Sequence, residues 1–233
     1  MRLDRFLSEA TELTRSQAKR ALRQLEVSVD GETTRDAATQ VEDGQEIRWQ
    51  GRLLERIGRR YLMMNKPLGV ECSLRPAHYP SVLSLIDIPK LERLHPVGRL
   101  DVETSGLLLI SDDGQWAHHV TSPNRECVKR YRATLAEPLP VERAESVSRR
   151  FARGIELNGE EKPTRPATLE RLSDTEVLIG VTEGRYHQVR RMLAAVGHPV
   201  ATLHREAIGP LELDPDLKPG ECRHLRPEEI AAF

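Results

Sequence analysis

One aspartate stands between a glycine turn and an unbroken apolar run, in Gly98-Arg99-Leu100-Asp101-Val102-Glu103-Thr104-Ser105-Gly106-Leu107-Leu108-Leu109-Ile110. The apolar run reads as a buried strand over Leu107–Ser111. A carboxylate at the mouth of such a strand is fixed in place by the sheet. Gly98 and Gly106 permit tight backbone on either side, and Thr104 and Ser105 can satisfy local amides. The residues alone leave two readings of Asp101 open, a structural turn and a catalytic carboxylate.

A second segment, Glu183-Gly184-Arg185-Tyr186-His187-Gln188-Val189-Arg190-Arg191-Met192, opens a helix over His187–Val196. Val189, Met192, Leu193 and Val196 recur at i, i+3, i+4 and i+7, which is one buried stripe. At about 100° per residue, Arg190 lies on the flank of that stripe and Arg191 nearly opposite it. Arg191 should therefore face solvent or nucleic acid. Arg190 can reach a partly buried interface, where a guanidinium needs a carboxylate partner. An ordinary structural salt bridge would satisfy the same pattern.

Around these segments, strands are expected at Tyr61–Met64, Tyr131–Leu135, Ala167–Arg171 and Val177–Val181, with a helix at Val141–Arg153. Mixed runs of this kind predict an α+β domain on an antiparallel or mixed sheet. The first sixty residues read as a separate module. Thr14 and Gln17 form a capping-box pattern, so a helix should run from about Arg15 to Glu26 with Ala18, Ala21, Leu22 and Leu25 buried. Val27-Ser28-Val29, the Asp30-Gly31 turn and the Val41–Trp49 run then supply small strands. Arg52 to Arg60 reads as a linker.

The chain has 35 Lys plus Arg against 36 Asp plus Glu, a net charge of −1, so the average does not announce a nucleic-acid binder. Local charge is what phosphate recognition needs. Residues 1–25 hold Arg2, Arg5, Arg15, Lys19, Arg20 and Arg23 against Asp4, Glu9 and Glu12. Arg15, Lys19 and Arg23 fall four apart on one helix face, where a merely solvated surface would mix signs. No apolar run is long enough to span a bilayer, and the N-terminus is no secretory signal, so a cytoplasmic protein is expected. Cys72, Cys127 and Cys222 are too scattered for a disulfide framework or a zinc site. The adjacent His118 and His119 point about 100° apart on a helix and suggest no metal.

Taken together, these segments resemble the pseudouridine synthases. GRLDxxTSGLLL (Gly98–Leu109) is similar to the family's catalytic motif and EGRYHQVRRM to its later arginine-bearing motif. Asn65-Lys66-Pro67-x-Gly69, Lys129-Arg130-Tyr131 and Leu203-His204-Arg205-x-x-Ile208-Gly209 resemble three further motifs. These five span residues 61–209. Residues 1–57 resemble the S4 RNA-binding module, through MRLDRFL, the basic second helix and the V-x-V-D-G turn. The resemblance implies a small N-terminal S4-like α/β module (1–57) followed by a catalytic domain (61–233) on a mixed or antiparallel sheet. Asp112–Pro123 (DDGQWAHHVTSP), EGRYHQVRRM and the tail Leu217–Glu221 are similar to the RsuA subfamily, which acts on uridine 516 of 16S ribosomal RNA. The chain also ends without the long basic extension of some large-subunit relatives. Glu71 departs from the pattern, since an apolar residue is expected before Cys72.

The chemistry so implied breaks the C1′–N1 bond, turns the uracil and joins C5 to C1′, so no cofactor or metal is required. By resemblance Asp101 is the nucleophile or base at the sugar, and Arg190 pairs with it, since a nearby cation favours the charged carboxylate. Tyr131 stacks on the extruded uracil, Leu203 packs its other face, and Arg99 fills the space the base leaves. Lys66 and Arg205 belong to the implied substrate-binding set, and Arg15, Lys19, Arg20 and Arg23 to the RNA-binding one. The implied partner is 16S ribosomal RNA or a small-subunit assembly intermediate, met by a monomer without a membrane. Three alternatives stand beside this reading. They are the same chemistry on a 23S uridine, a non-catalytic S4-type assembly protein, and a glycosidase using Asp112 or Asp113 as a second acid.

Overall fold

The computed structural model describes residues 1–55, 57–122 and 125–233; Arg56 of the expected linker and Pro123 of the DDGQWAHHVTSP segment lie outside them. The chain divides into two units, Met1–Arg59 and Arg60–Phe233.

In the first unit, helices α1 (Leu3–Ala10) and α2 (Arg15–Arg23) precede a four-stranded sheet of β1 (Val27–Val29), β2 (Glu32–Thr33), β3 (Ile47–Trp49) and β4 (Arg52–Leu54), ordered β2-β1-β3-β4. Both halves of the Thr14–Gln17 capping box form, with Thr14 N donating to Gln17 Oε1 at 2.8 Å. Leu3, Phe6, Leu7, Ala18, Ala21, Leu22, Val27 and Ile47 make the core. Leu25 is not among them. The helix stops at its cap Gln24, and Leu25 turns left-handed at φ 60° and stands 41% exposed. Residues 52–54 also depart from expectation, because they pair with β3 instead of linking the units. Arg15, Lys19, Arg20 and Arg23 are all exposed. Lys19 leans toward the buried Asp4, its Nζ 3.9 Å from Oδ2.

The second unit is built on one mixed sheet. Its strands are β5 (Tyr61–Lys66), β6 (His95–Val97), β7 (Thr104–Ser111), β8 (Lys129–Leu135), β9 (Thr168–Arg171), β10 (Glu176–Val181), β11 (Val200–Ile208), β12 (Leu211–Glu212) and β13 (Cys222–His224). The main path runs β13-β5-β7-β11-β8-β10-β9, with β6 beside β7 and β12 beside β11. Among the described residues, every strand pairing of this unit is antiparallel except β7 with β11. Helices α3 (Gly114–Thr121), α4 (Val141–Arg153), α5 (Gln188–Ala195) and α6 (Pro227–Ala231) complete it.

The Leu107–Ile110 run is apolar without alternation because β7 is buried on both faces. Leu108 and Ile110 join Val147 and Phe151 of α4 and Val189, Met192 and Leu193 of α5 in one core, while Leu107 and Leu109 join Met63, Val97 and Val120 in another. Arg60, read as linker, is instead an anchor of this unit. Its backbone N and its Nε reach the two oxygens of Asp112 at 2.8 and 3.0 Å, and the residue is 8% exposed.

The parallel pair fixes the catalytic-motif loop, since Thr104, Ser105 and Gly106 face Leu203, His204 and Arg205. Gly106 has φ 102°, and a Cβ there would lie 2.3 Å from the Arg205 carbonyl oxygen. No L side chain fits either the conformation or the gap. Gly106→Ala should therefore lower the stability to denaturant by more than ~1 kcal/mol. An unchanged unfolding midpoint would mean that β7 and β11 do not approach this closely.

Candidate active site

Asp101 lies in the turn that leads from β6 into β7, and its side chain is about one-third exposed (34%). The turn is held by its backbone. Asp101 O accepts Thr104 N at 3.0 Å, and Val102 O accepts Gly69 N at 3.0 Å. Beneath it sits Lys66, which is fully buried. Its Nζ donates to Pro67 O at 2.9 Å, Asp101 O at 3.1 Å and Thr104 O at 2.9 Å. An ammonium has three donors, and all three are used here. Burial pushes the Lys66 pKa below its ordinary value, and the charge of Asp101 opposes that shift. The neighbouring Asn65 is clamped to the tail: its Nδ2 donates to Leu217 O at 2.8 Å, its N to Glu221 O at 3.1 Å, and its O accepts Gly220 N at 2.7 Å. The Leu217–Glu221 motif thus secures the strand end that carries Lys66.

Among the described residues, the side chain that meets the Asp101 carboxylate is His187, whose Nε2 lies 3.5 Å from Oδ1. His187 caps α5 in a left-handed conformation, φ 47° and ψ 34°. Such a conformation is uncommon for a side-chain-bearing residue and turns the imidazole toward Asp101. Arg190 does not pair with Asp101 directly. Its Nη2 donates to Glu103 O at 2.8 Å, two residues further on, so it braces the loop through the backbone. Its Nε is buried without a partner among the described residues.

Tyr131 of β8 and Leu203 of β11 are 8% and 4% exposed and share one face of adjacent strands, with Arg205 opposite Tyr131 in register. Arg205 is buried behind the phenol. Its Nε donates to Leu107 O at 2.8 Å and its Nη1 to the Tyr131 hydroxyl at 3.3 Å. Arg99 stands exposed at the loop surface.

Residues 60–195 match the RNA pseudouridylate synthase family, and residues 1–47 match the S4 domain. The chain is 49% identical, over all 233 residues and 99% of the relative, to a Vibrio cholerae protein named ribosomal small subunit pseudouridine synthase A. It is 45% identical, with the same coverage, to the Escherichia coli K12 protein of that name. A crystal structure of a pseudouridylate synthase superposes with a TM-score of 0.70 at 45% identity, covering 100% of this chain and 99% of that one. The chain belongs to the RNA pseudouridylate synthase family.

As a pseudouridine synthase with an S4 domain, the enzyme brings together Asp101, Lys66, His187 and Arg190 around one turn, with Tyr131, Leu203 and Arg205 on the adjoining strands. Of the expected substrate-binding residues, Lys66 and Arg205 are 0% and 2% exposed and hold the loop and the phenol from beneath. Arg191 is likewise committed, since its guanidinium binds Glu160 Oε1 at 2.8 Å and Asn158 O at 2.7 Å. His187 was not singled out from sequence as a partner of Asp101. Its place in EGRYHQVRRM is visible there, but its left-handed backbone is not.

The acidic pair of DDGQW is structural. Asp112 is bound by Arg60 and Arg93, and Asp113 caps α3 by accepting Gln115 N and Trp116 N at 3.1 and 3.2 Å. Neither is available as the second acid of a glycosidase.

Glu71 also finds its reason. Its carboxylate accepts the amides of Ala77, His78 and Tyr79 at 3.1, 3.0 and 3.1 Å and closes the loop that an apolar residue could not organise. Those bonds lower its pKa from the ordinary 4.5. A carboxyl with a lowered folded pKa contributes its full share above the unfolded value and loses it as pH falls through the folded one. Amide hydrogen exchange at Ala77, His78 and Tyr79 should be slow above about pH 4.5, after correction for intrinsic rates, and lose its protection below it. Glu71→Gln should remove that pH dependence. Equal protection in the variant and the wild type across this range would show that the carboxylate does not order the loop.

Proposed function

We propose that this pseudouridine synthase converts uridine 516 of 16S ribosomal RNA to pseudouridine, acting as a cytoplasmic monomer on the RNA or on a small-subunit assembly intermediate. The observation that carries the substrate is the full-length similarity, at 49% and 45% identity, to two proteins named ribosomal small subunit pseudouridine synthase A. Among the described residues no helix is long and apolar enough to cross a membrane.

In the proposed reaction Asp101 is the carboxylate that acts at the sugar. The C1′–N1 bond breaks with its electron pair leaving on uracil. The base turns, C5 bonds to C1′, and the C5 proton is lost while N1 regains one, so every atom is kept. Tyr131 stacks on the extruded base and Leu203 covers its other face, a role supported by their shared face on adjacent strands. Arg99, exposed at the loop surface, enters the space left in the RNA, and its planar guanidinium suits it to stack there. Lys66 holds the Asp101 turn, Arg190 braces it at Glu103, and Arg205 orients Tyr131. Arg15, Lys19, Arg20 and Arg23 of the S4 domain contact phosphates and keep the RNA in register without reading much sequence.

Pseudouridine mapping of ribosomal RNA from a strain lacking this protein tests the substrate. One pseudouridine should disappear from small-subunit RNA, at 516, and none from large-subunit RNA. Loss of a large-subunit pseudouridine with the small-subunit one intact would overturn the assignment.

A further inference from the structure

Tyr186 is 76% exposed, the most exposed of the large apolar side chains described in the protein. It is nevertheless ordered by what surrounds it. Its ring lies on the His187 imidazole with centroids 3.9 Å apart and planes 14° from parallel. That imidazole is the one that touches Asp101. The backbone on both sides of Tyr186 is fixed as well. Arg185 Nη1 and Nη2 donate to Lys162 O and Pro163 O, both at 2.7 Å, and Arg185 N donates to Gln188 Oε1 at 2.9 Å. Arg191 Nη1 donates to Tyr186 O at 3.2 Å. The result is a rigid aromatic step with one face covered by an imidazole and the other open to solvent.

A uridine turned out of its stack leaves its neighbours without a stacking partner, and single-stranded RNA is read largely by aromatic rings that supply one. The Tyr186 ring lies one layer beyond the imidazole that meets Asp101, beside the carboxylate and with its outer face free. We propose that Tyr186, laid flat on His187, is a stacking subsite for the base of a nucleotide next to the target uridine. The inference rests on the reading of the Asp101 site as the place where an RNA uridine is modified. A ring that merely supports His187 would need no open face, and a surface ring without function would need no clamp on either side of its backbone. The site takes any nucleobase, because every base has a π face, and so adds affinity and register with little sequence preference.

The test measures binding of wild type, Tyr186→Ala and Tyr186→Phe to an RNA in which the wild type forms pseudouridine. Two further RNAs carry an abasic residue on one or the other side of the target. On intact RNA, Tyr186→Ala should bind about 5- to 150-fold more weakly, the range given by stacking one base on an aromatic ring, and Tyr186→Phe about as well as wild type. On one of the two abasic RNAs the difference between Tyr186→Ala and wild type should vanish. Unaltered affinity of Tyr186→Ala for intact RNA would overturn the proposal. So would an equal penalty on all three RNAs, which would assign the ring to the support of His187 alone. Whether the wild type modifies small-subunit RNA scores the substrate reading separately, since the stacking comparison uses whichever RNA it does modify.

Discussion

The turn that carries Asp101 depends on one buried ammonium. Lys66 has no exposed surface and gives its three protons to the carbonyls of Pro67, Asp101 and Thr104. A buried ammonium without such partners would be strongly destabilising, and three buried carbonyls without a donor would each leave a polar group unmet. Each requirement is met by the other. This lock fixes the backbone of Asp101 and leaves its carboxylate free of any internal hydrogen bond to the turn. Asn65, clamped to the Leu217–Glu221 tail, and Gly69, bonded to Val102, extend the same frame before and after Lys66. Distant parts of the sequence thereby converge on one turn.

Arg190 and Arg205 act on the site through backbone carbonyls and a phenol, with no carboxylate partner among the described residues. Arg190 holds the Glu103 carbonyl, and Arg205 holds the Leu107 carbonyl and the Tyr131 hydroxyl. Guanidinium groups suit this work because several fixed donors leave one planar group. The imidazole of His187 is the nearest side-chain partner of Asp101, and it is itself covered by Tyr186. The chain's net charge of −1 conceals this local concentration of cations, so composition alone gave no sign of an RNA enzyme.

Much of this was legible in advance where a local rule had no competitor. The α4 helix spans Val141–Arg153 as its pattern predicts, and β5, β7, β8, β9 and β10 lie where apolar and aromatic runs place them. The longest strand, β11, escaped notice because Arg205 occupies its buried face beside Leu203 and Ala207, while Thr202, His204 and Glu206 alternate with them. A buried arginine disguises the period of a strand. The burial of Arg60 and Lys66 is hidden from the sequence for a related reason: it depends on Asp112 and on loop carbonyls far away in sequence. The same limit applies to Leu25, where a local stripe continued past the point at which the chain had to turn toward β1. Periodicity reports faces, whereas partners across the sheet are set by register.

The central claim is that Asp101 carries the chemistry while the frame beneath it does the holding, and Asp101→Asn isolates the two. The substitution keeps the size of the side chain and leaves the backbone carbonyl that Lys66 binds. Single-turnover assays on the RNA substrate, run beside equilibrium binding, are the direct measurement. Pseudouridine formation by the purified variant should fall below detection, with RNA affinity within a few-fold of wild type. Clear residual turnover by a preparation whose mass excludes reversion to aspartate would contradict the account.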